Sequence, residues 1–245
     1  MKHKAKSKNL RKSKVDSQKA GGFIVTIDGP SGAGKSTVSR LLADRLHGKL
    51  LDTGAMYRSV AYYALKEGAA TKSDFGQIAK RLKFTEGRRS GSILVNGENL
   101  GKKLRTEKVS AMASWVSKYK EVRDVLTKKQ RELGILWAKQ WPVIVEGRDI
   151  GTVVFPGSQN VHKFFVTANA KERARRRQSE LRKMGDKKVT VSAVLLKQAH
   201  RDRQDSTRKL APLTKAKNTI VVNTSGRTAG EAVDFILARL SRERG

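Results

Sequence analysis

The chain of 245 residues contains no cysteine, which excludes disulfides, thiolate metal sites and cysteine catalysis, and suits a reducing cytoplasm. It has no apolar run near the 18 or so residues that span a bilayer, and the lysines at its N-terminus are not followed by an apolar signal segment. A protein that stays in the cytoplasm, off the membrane, is the expectation. Aromatic residues make up only 6% of the chain, and no basic stretch is interleaved with them, which argues against a base-stacking nucleic-acid module. Acids are also scarce: 22 against 53 lysines and arginines, a formal net charge of +31. A field that strong attracts anions such as nucleotides, nucleic acid or anionic lipid, without choosing among them.

Residues 1–20 carry eight basic side chains and one acid, a net +7 with almost no apolar content. They read as a disordered basic arm over 1–21. A solvated extension is the plainer reading, and contact with RNA the alternative; no obligate nucleic-acid partner is expected. The remaining +24 belongs to a folded body over 22–245, long enough for one α/β domain with elaborations.

Five short apolar runs, at Phe23–Ile27, Leu50–Leu51, Val143–Val145, Phe164–Val166 and Ile220–Val222, are separated by stretches of helical periodicity. This alternation predicts a five-stranded parallel sheet flanked by helices. Between about Lys66 and Arg105 the pattern changes. Phe84–Glu86, Ser92–Val95 and the Asn96-Gly97 turn predict a small antiparallel hairpin or three-stranded patch, expected to be a mobile lobe. Helices are expected around Val109–Ser117 and Glu121–Leu133.

Gly29-Pro30-Ser31-Gly32-Ala33-Gly34-Lys35-Ser36, followed by Thr37, matches the phosphate-loop pattern G-x-x-x-x-G-K-[ST]. It lies between a predicted strand and a predicted helix, the context the pattern requires. Glycines let the backbone curl with its N–H groups inward toward phosphate oxygens. Lys35 then reaches the β- and γ-phosphates of a nucleotide, and Ser36 is the candidate ligand for Mg²⁺. Glu146 ends the third apolar run, where an acid either orients a magnesium-bound water or simply closes a strand.

A phosphate loop specifies a nucleotide but no reaction. If the acceptor is itself a phosphate, several arginines are needed around it, because the planar guanidinium suits bidentate phosphate contacts. Candidates are Arg58, Arg148, Arg173, Arg175, Arg176, Arg177, Arg201, Arg203 and Arg208.

Five strings in order carry a resemblance: Asp28-Gly29-Pro30 through Thr37; Leu51-Asp52-Thr53-Gly54-Ala55-Met56-Tyr57-Arg58; Glu146-Gly147-Arg148-Asp149-Ile150-Gly151-Thr152-Val153-Val154-Phe155-Pro156; Glu172 to Arg177; and Arg201 to Arg208 with Ala211-Pro212-Leu213. From about Phe23 onward the chain resembles the bacterial type of cytidylate kinase. That resemblance implies a phosphate-loop kinase core with an enlarged nucleoside-monophosphate lobe, about 53–133, holding the β insert, and a short lid, about 173–205. It implies transfer of the γ-phosphate of ATP to CMP or dCMP with Mg²⁺, by a chain expected to be a monomer. By the same resemblance Arg58, Arg148 and Arg208 clamp the CMP phosphate beside Thr53. Ser114, Arg123 and Asp149 read the cytosine, and Arg201 and Asp205 hold the sugar. Lys35, Arg148 and Arg208 would neutralise charge during transfer. Arg173 and Arg177, sharing a helix face, are candidate lid contacts to ATP. Two departures from the family pattern, Asn223-Thr224-Ser225 and Gly157-Ser158-Gln159, are expected to lie away from the site. The rivals are a kinase for another acceptor and a nucleic-acid-dependent ATPase.

Overall fold

The computed structural model describes residues 22–87, 92–157 and 160–244. The basic arm expected over 1–21 lies outside them, as do Ser158 and Gln159. Five parallel strands form the central sheet: β1 (Ile24–Asp28), β2 (Lys49–Asp52), β5 (Val143–Glu146), β6 (Val161–Thr167) and β7 (Ile220–Asn223). Their order is β2-β5-β1-β6-β7. All five residues of β1 are buried, as expected for a central strand covered on both faces. Such a sheet gathers ligands at the carboxyl ends of its strands, where the connections diverge.

On one face α1 (Lys35–Arg45) and α8 (Ala229–Arg244) pack against Val25, Ile27, Ile144 and Val166. The other face is covered by α2 (Thr53–Glu67), α3 (Lys72–Arg81), α4 (Glu107–Val116) and α5 (Lys120–Ala138). Their buried Val60, Phe75 and Leu126 join Leu51 and Val145 of the sheet in one cluster. The β insert has two strands, β3 (Phe84–Glu86) and β4 (Ile93–Val95), rather than three. Asn96 and Gly97 form the expected tight turn, with φ of 52° and 82°, but the chain beyond them pairs only through Glu98 with Val95. Phe84, Ile93 and Val95 are buried in the cluster of α2, α3 and α5. The insert therefore shares the core of these helices rather than having one of its own.

Between β6 and β7, α6 (Ala170–Lys183) and α7 (Val191–Thr207) form a hairpin with a small core of Ala174, Leu181 and Val194. Asp52, Thr71, Thr106, Asn169 and Thr190 cap α2, α3, α4, α6 and α7 with side-chain oxygens. Helix α1 instead begins at Gly34 with no side-chain cap. Among the described residues no helix is long and apolar enough to cross a membrane.

Candidate active site

The phosphate loop joins β1 to α1. Gly29 has φ of 145°, and a Cβ there would lie 2.0 Å from the Val166 carbonyl oxygen, so only glycine lets the loop pass this close to β6. Gly34, with φ of 85°, turns the chain into α1 and leaves the helix N-terminus to whatever the loop encloses. Lys35 is 4% exposed and donates to the Pro30 carbonyl at 2.7 Å. Burial, reinforced by Arg148, pulls its pKa down to about 7. A cation held at that cost is one that an arriving phosphate would relieve. Ser36 Oγ donates to Glu146 Oε1 at 2.7 Å, and burial, with Asp52 nearby, pushes the Glu146 pKa up.

The hairpin of α6 and α7 closes over this loop. Arg173 donates to the Ser31 and Ala168 carbonyls and pairs with Asp202, which also accepts from the Ser31 N–H at 3.3 Å. The guanidinium of Arg173 is thus committed to holding the loop. Arg177 lies farther out, paired with Glu180, and lines a cleft of about 460 Å³ between the α6–α7 hairpin and α4. That cleft also presents Ser31, Ser114, Trp115, Gln198 and Arg201. Of the candidate arginines to which the resemblance gives no role, Arg176 is the one the structure sets against the loop. Its Nη1 lies 2.9 Å from Thr224 Oγ1, and a Cβ on Gly34 would lie 3.5 Å from it. Thr224 Oγ1 in turn is 3.0 Å from the Ala33 carbonyl. The expectation that Asn223-Thr224-Ser225 stands clear of the site is therefore corrected: β7 delivers Thr224 against the phosphate loop. Only the parallel order of the sheet, which brings the end of β7 beside β6, could have revealed this.

A second cluster lies at the end of β5. Arg123 on α5 and Asp149 form a buried ion pair, with Arg208 3.6 Å from the other carboxylate oxygen. Asp205 on α7 pairs with Arg148 at 3.2 Å and lies 3.7 Å from Arg208. Arg58 on α2 pairs with Asp52 at 2.9 Å, and the buried Thr53 hydroxyl donates to the Glu146 carbonyl at 2.7 Å. Tyr57 lies under Arg123, 5.7 Å from ring centre to guanidinium carbon. The structure thus brings Thr53, Arg58, Arg123, Arg148, Asp149, Asp205 and Arg208 together. Ser114 is the exception; it faces the cleft with Arg201 and has no side-chain hydrogen bond to the Arg123–Asp149 pair among the described contacts.

The charges of this cluster do not cancel. Burial, with Arg148 close by, lowers the Arg201 pKa to about 10, and burial with Arg123 lowers that of Arg208. Arg58 Nε, Arg201 Nε and Arg208 Nη2 are buried nitrogens without a hydrogen-bond partner. Unsatisfied buried donors of this kind are rare, and three on neighbouring guanidinium groups call for an anion.

A family model described as cytidylate kinase matches residues 25–242. The cytidylate kinase of Geobacter sulfurreducens is 43% identical over 227 residues, covering 91% of this chain and 94% of that protein. That of Thermosipho melanesiensis is 42% identical over 213 residues, covering 87% and 94%. An uncharacterised protein from Eubacterium ventriosum shares the fold at a TM-score of 0.51 and 11% identity, over 89% of this chain and 98% of that one.

Proposed function

The chain belongs to the cytidylate kinase family, ATP-dependent phosphotransferases acting on CMP or dCMP, and from that premise we propose how its residues divide the reaction. The observation that carries the division is the set of buried nitrogens without a hydrogen bond on Arg58, Arg201 and Arg208 beside Asp149 and Asp205. An anionic acceptor fits there, across from the phosphate loop.

Gly29 to Thr37 hold the phosphates of ATP through backbone N–H groups, and Lys35 neutralises the β- and γ-oxygens. Arg177 reaches the nucleotide from the cleft, while Arg173 keeps the loop shaped. Arg58, Arg148 and Arg208 clamp the phosphate of CMP, with Thr53 beside them. Arg201 and Asp205 hold the sugar, and Ser114 borders its side of the cleft. Asp149, oriented by Arg123, accepts from the exocyclic amine of cytosine, where uracil would present a carbonyl oxygen. The segment 53–133 is the acceptor-binding lobe and 173–205 the lid, whose own small core suits a hairpin that moves as a unit.

The acceptor phosphate has a second pKa near 6, so at neutral pH its oxygen is already an anionic nucleophile and no general base is needed. The protein supplies alignment and positive charge. Ser36 and Glu146, a hydroxyl and a carboxylate 2.7 Å apart, are hard oxygen donors that fit Mg²⁺, leaving its other positions to phosphates and water. When bound, the ion neutralises charge on the phosphate oxygens. Among the described residues no group of three or more metal-ligating side chains could hold an ion unaided.

The test is ADP release with Mg·ATP against CMP, dCMP, UMP, AMP and GMP, repeated with Asp149→Asn. Wild-type protein should prefer CMP and dCMP, and the variant, whose amide can donate, should shift toward UMP. An unshifted preference would remove Asp149 as the reader of the base.

A further inference from the structure

Arg148 and Asp149 do the work assigned above from a two-residue bridge, and the bridge is clamped to β1 on both sides. Before it, the Gly147 N–H donates to the Ile27 carbonyl at 3.0 Å, extending the β1–β5 ladder in which Ile27 faces Glu146. After it the chain winds into a short helical segment, Ile150–Val154, closed by Val153 N–H to the Asp149 carbonyl and Phe155 N–H to the Ile150 carbonyl. The first N–H groups of such a segment have no partner within it. Asp28 meets them. Its Oδ1 accepts from Ile150 N–H at 2.9 Å and its Oδ2 from Gly151 N–H at 2.8 Å.

Asp28 is 4% exposed, and it stands directly before Gly29, the first residue of the phosphate loop. A Cβ on Gly151 would lie 3.1 Å from Thr26 Oγ1, 3.3 Å from Ala216 Cβ and 3.4 Å from Asp28 Oδ2, so a side chain there would crowd the packing around the carboxylate. Burial raises the Asp28 pKa to about 6 despite the two N–H bonds, so the ionised group is kept here at a cost to the fold.

We propose that Asp28 is a positioning residue for the acceptor: its carboxylate, bonded to Ile150 and Gly151, fixes Arg148 and Asp149 at a set distance and angle from the phosphate loop. This rests on the reading of Arg148 and Asp149 as acceptor contacts. The start of the phosphate loop is held by backbone, in the β1–β6 ladder opposite Phe165, so the carboxylate reaches the donor side only through its charge near Lys35, the weakest of its interactions. The consequence is a one-sided effect. Loss of the carboxylate bonds loosens the acceptor side and leaves ATP binding nearly intact.

Steady-state kinetics of Asp28→Asn, with CMP and UMP as acceptors and ATP varied separately, read this directly. The expected result is a rise of about tenfold or more in the KM for CMP, a reduced preference for CMP over UMP, and a KM for ATP within about twofold of wild type. Circular dichroism monitors folding. If Asp28→Asn does not fold, Gly151→Ala, which keeps Asp28 but crowds the turn that its carboxylate holds against Thr26 and Ala216, must give the same split. Unchanged KM for CMP in the folded variant, or a parallel rise in both KM values, overturns the proposal. Asp149→Asn run beside them separates the two readings. If Asp149→Asn shifts base preference while Asp28→Asn does nothing, only the positioning role fails; if Asp149→Asn shifts nothing, the acceptor site itself is misassigned and the positioning role falls with it.

Discussion

The two halves of the site are built by opposite means. The donor half is nine consecutive residues, Gly29 to Thr37, in which backbone N–H groups and one buried lysine await an anion. The proposed acceptor half is assembled from α2, α5, the bridge at 148–149, α7 and Arg208, and it consists of side chains alone. Buried arginines repel one another, so the acceptor half needs internal counter-charges. Asp149 sits between Arg123 and Arg208, and Asp205 between Arg148 and Arg208. These aspartates hold the arginines in place without using all of their donors. A half built mostly of backbone needs counter-charge only for its one lysine, supplied by Glu146 and Asp28, because dipoles do not repel as ions do; a half built of guanidinium groups needs it throughout.

That contrast predicts where substitutions should act, and how strongly. Replacing Lys35 by Met should reduce kcat by about a thousandfold or more while leaving the CMP over UMP preference unchanged, because the charge it supplies serves the transferring group and not the base. A changed base preference in this variant would blur the division between the halves. Arg208→Lys should cost about a hundredfold in kcat/KM for CMP, with the KM for ATP little altered, since a point charge cannot meet a phosphate and two aspartates as a guanidinium does. Equal losses on both substrates would show that the halves are not separable at Arg208.

The smallest effect is on stability. Asp28 ionises near 3.8 in an unfolded chain and about 6 in the folded one, where burial outweighs its two N–H bonds, Asp149 adds repulsion and Lys35 opposes it. Between those pH values the folded form holds the extra proton. Stability against urea should therefore fall as pH rises from about 4 to about 6, by some 2 to 3 kcal/mol from this group, and Asp28→Asn should lack that part of the slope. Parallel pH profiles for the two proteins would mean that Asp28 is not held ionised against its burial.

Much of the fold is legible from short patterns. Each of the five apolar runs became a strand of the central sheet, and the insert, the two helices after it and the phosphate loop lie where spacing placed them. The number of strands in the insert was less certain from sequence, because three or four apolar residues after a tight turn are compatible with a strand or with none. The acceptor residues were legible only through resemblance, since in so basic a chain no arginine stands out by type. Ser114 illustrates the limit: it belongs to the matching region, yet its side chain faces the cleft beside Arg201 and not the Arg123–Asp149 pair. Asp28, Asp202 and Thr224 receive no role from the sequence because their partners lie far along the chain.

By itself the sequence determined what is local. A strand, a glycine-rich turn and a helix in succession make a phosphate loop, because backbone N–H groups a few residues apart can converge without help from elsewhere. The tertiary structure alone decided which of many like charges meet: β5 beside β1 sets Asp28 under Ile150 and Gly151, β7 beside β6 sets Thr224 against Ala33, and α7 crossing the sheet end sets Asp205 between two arginines. Those pairings depend on distances across the fold, and the favourable energy of an ion pair or a buried hydrogen bond exists only once the groups are brought within reach and out of water.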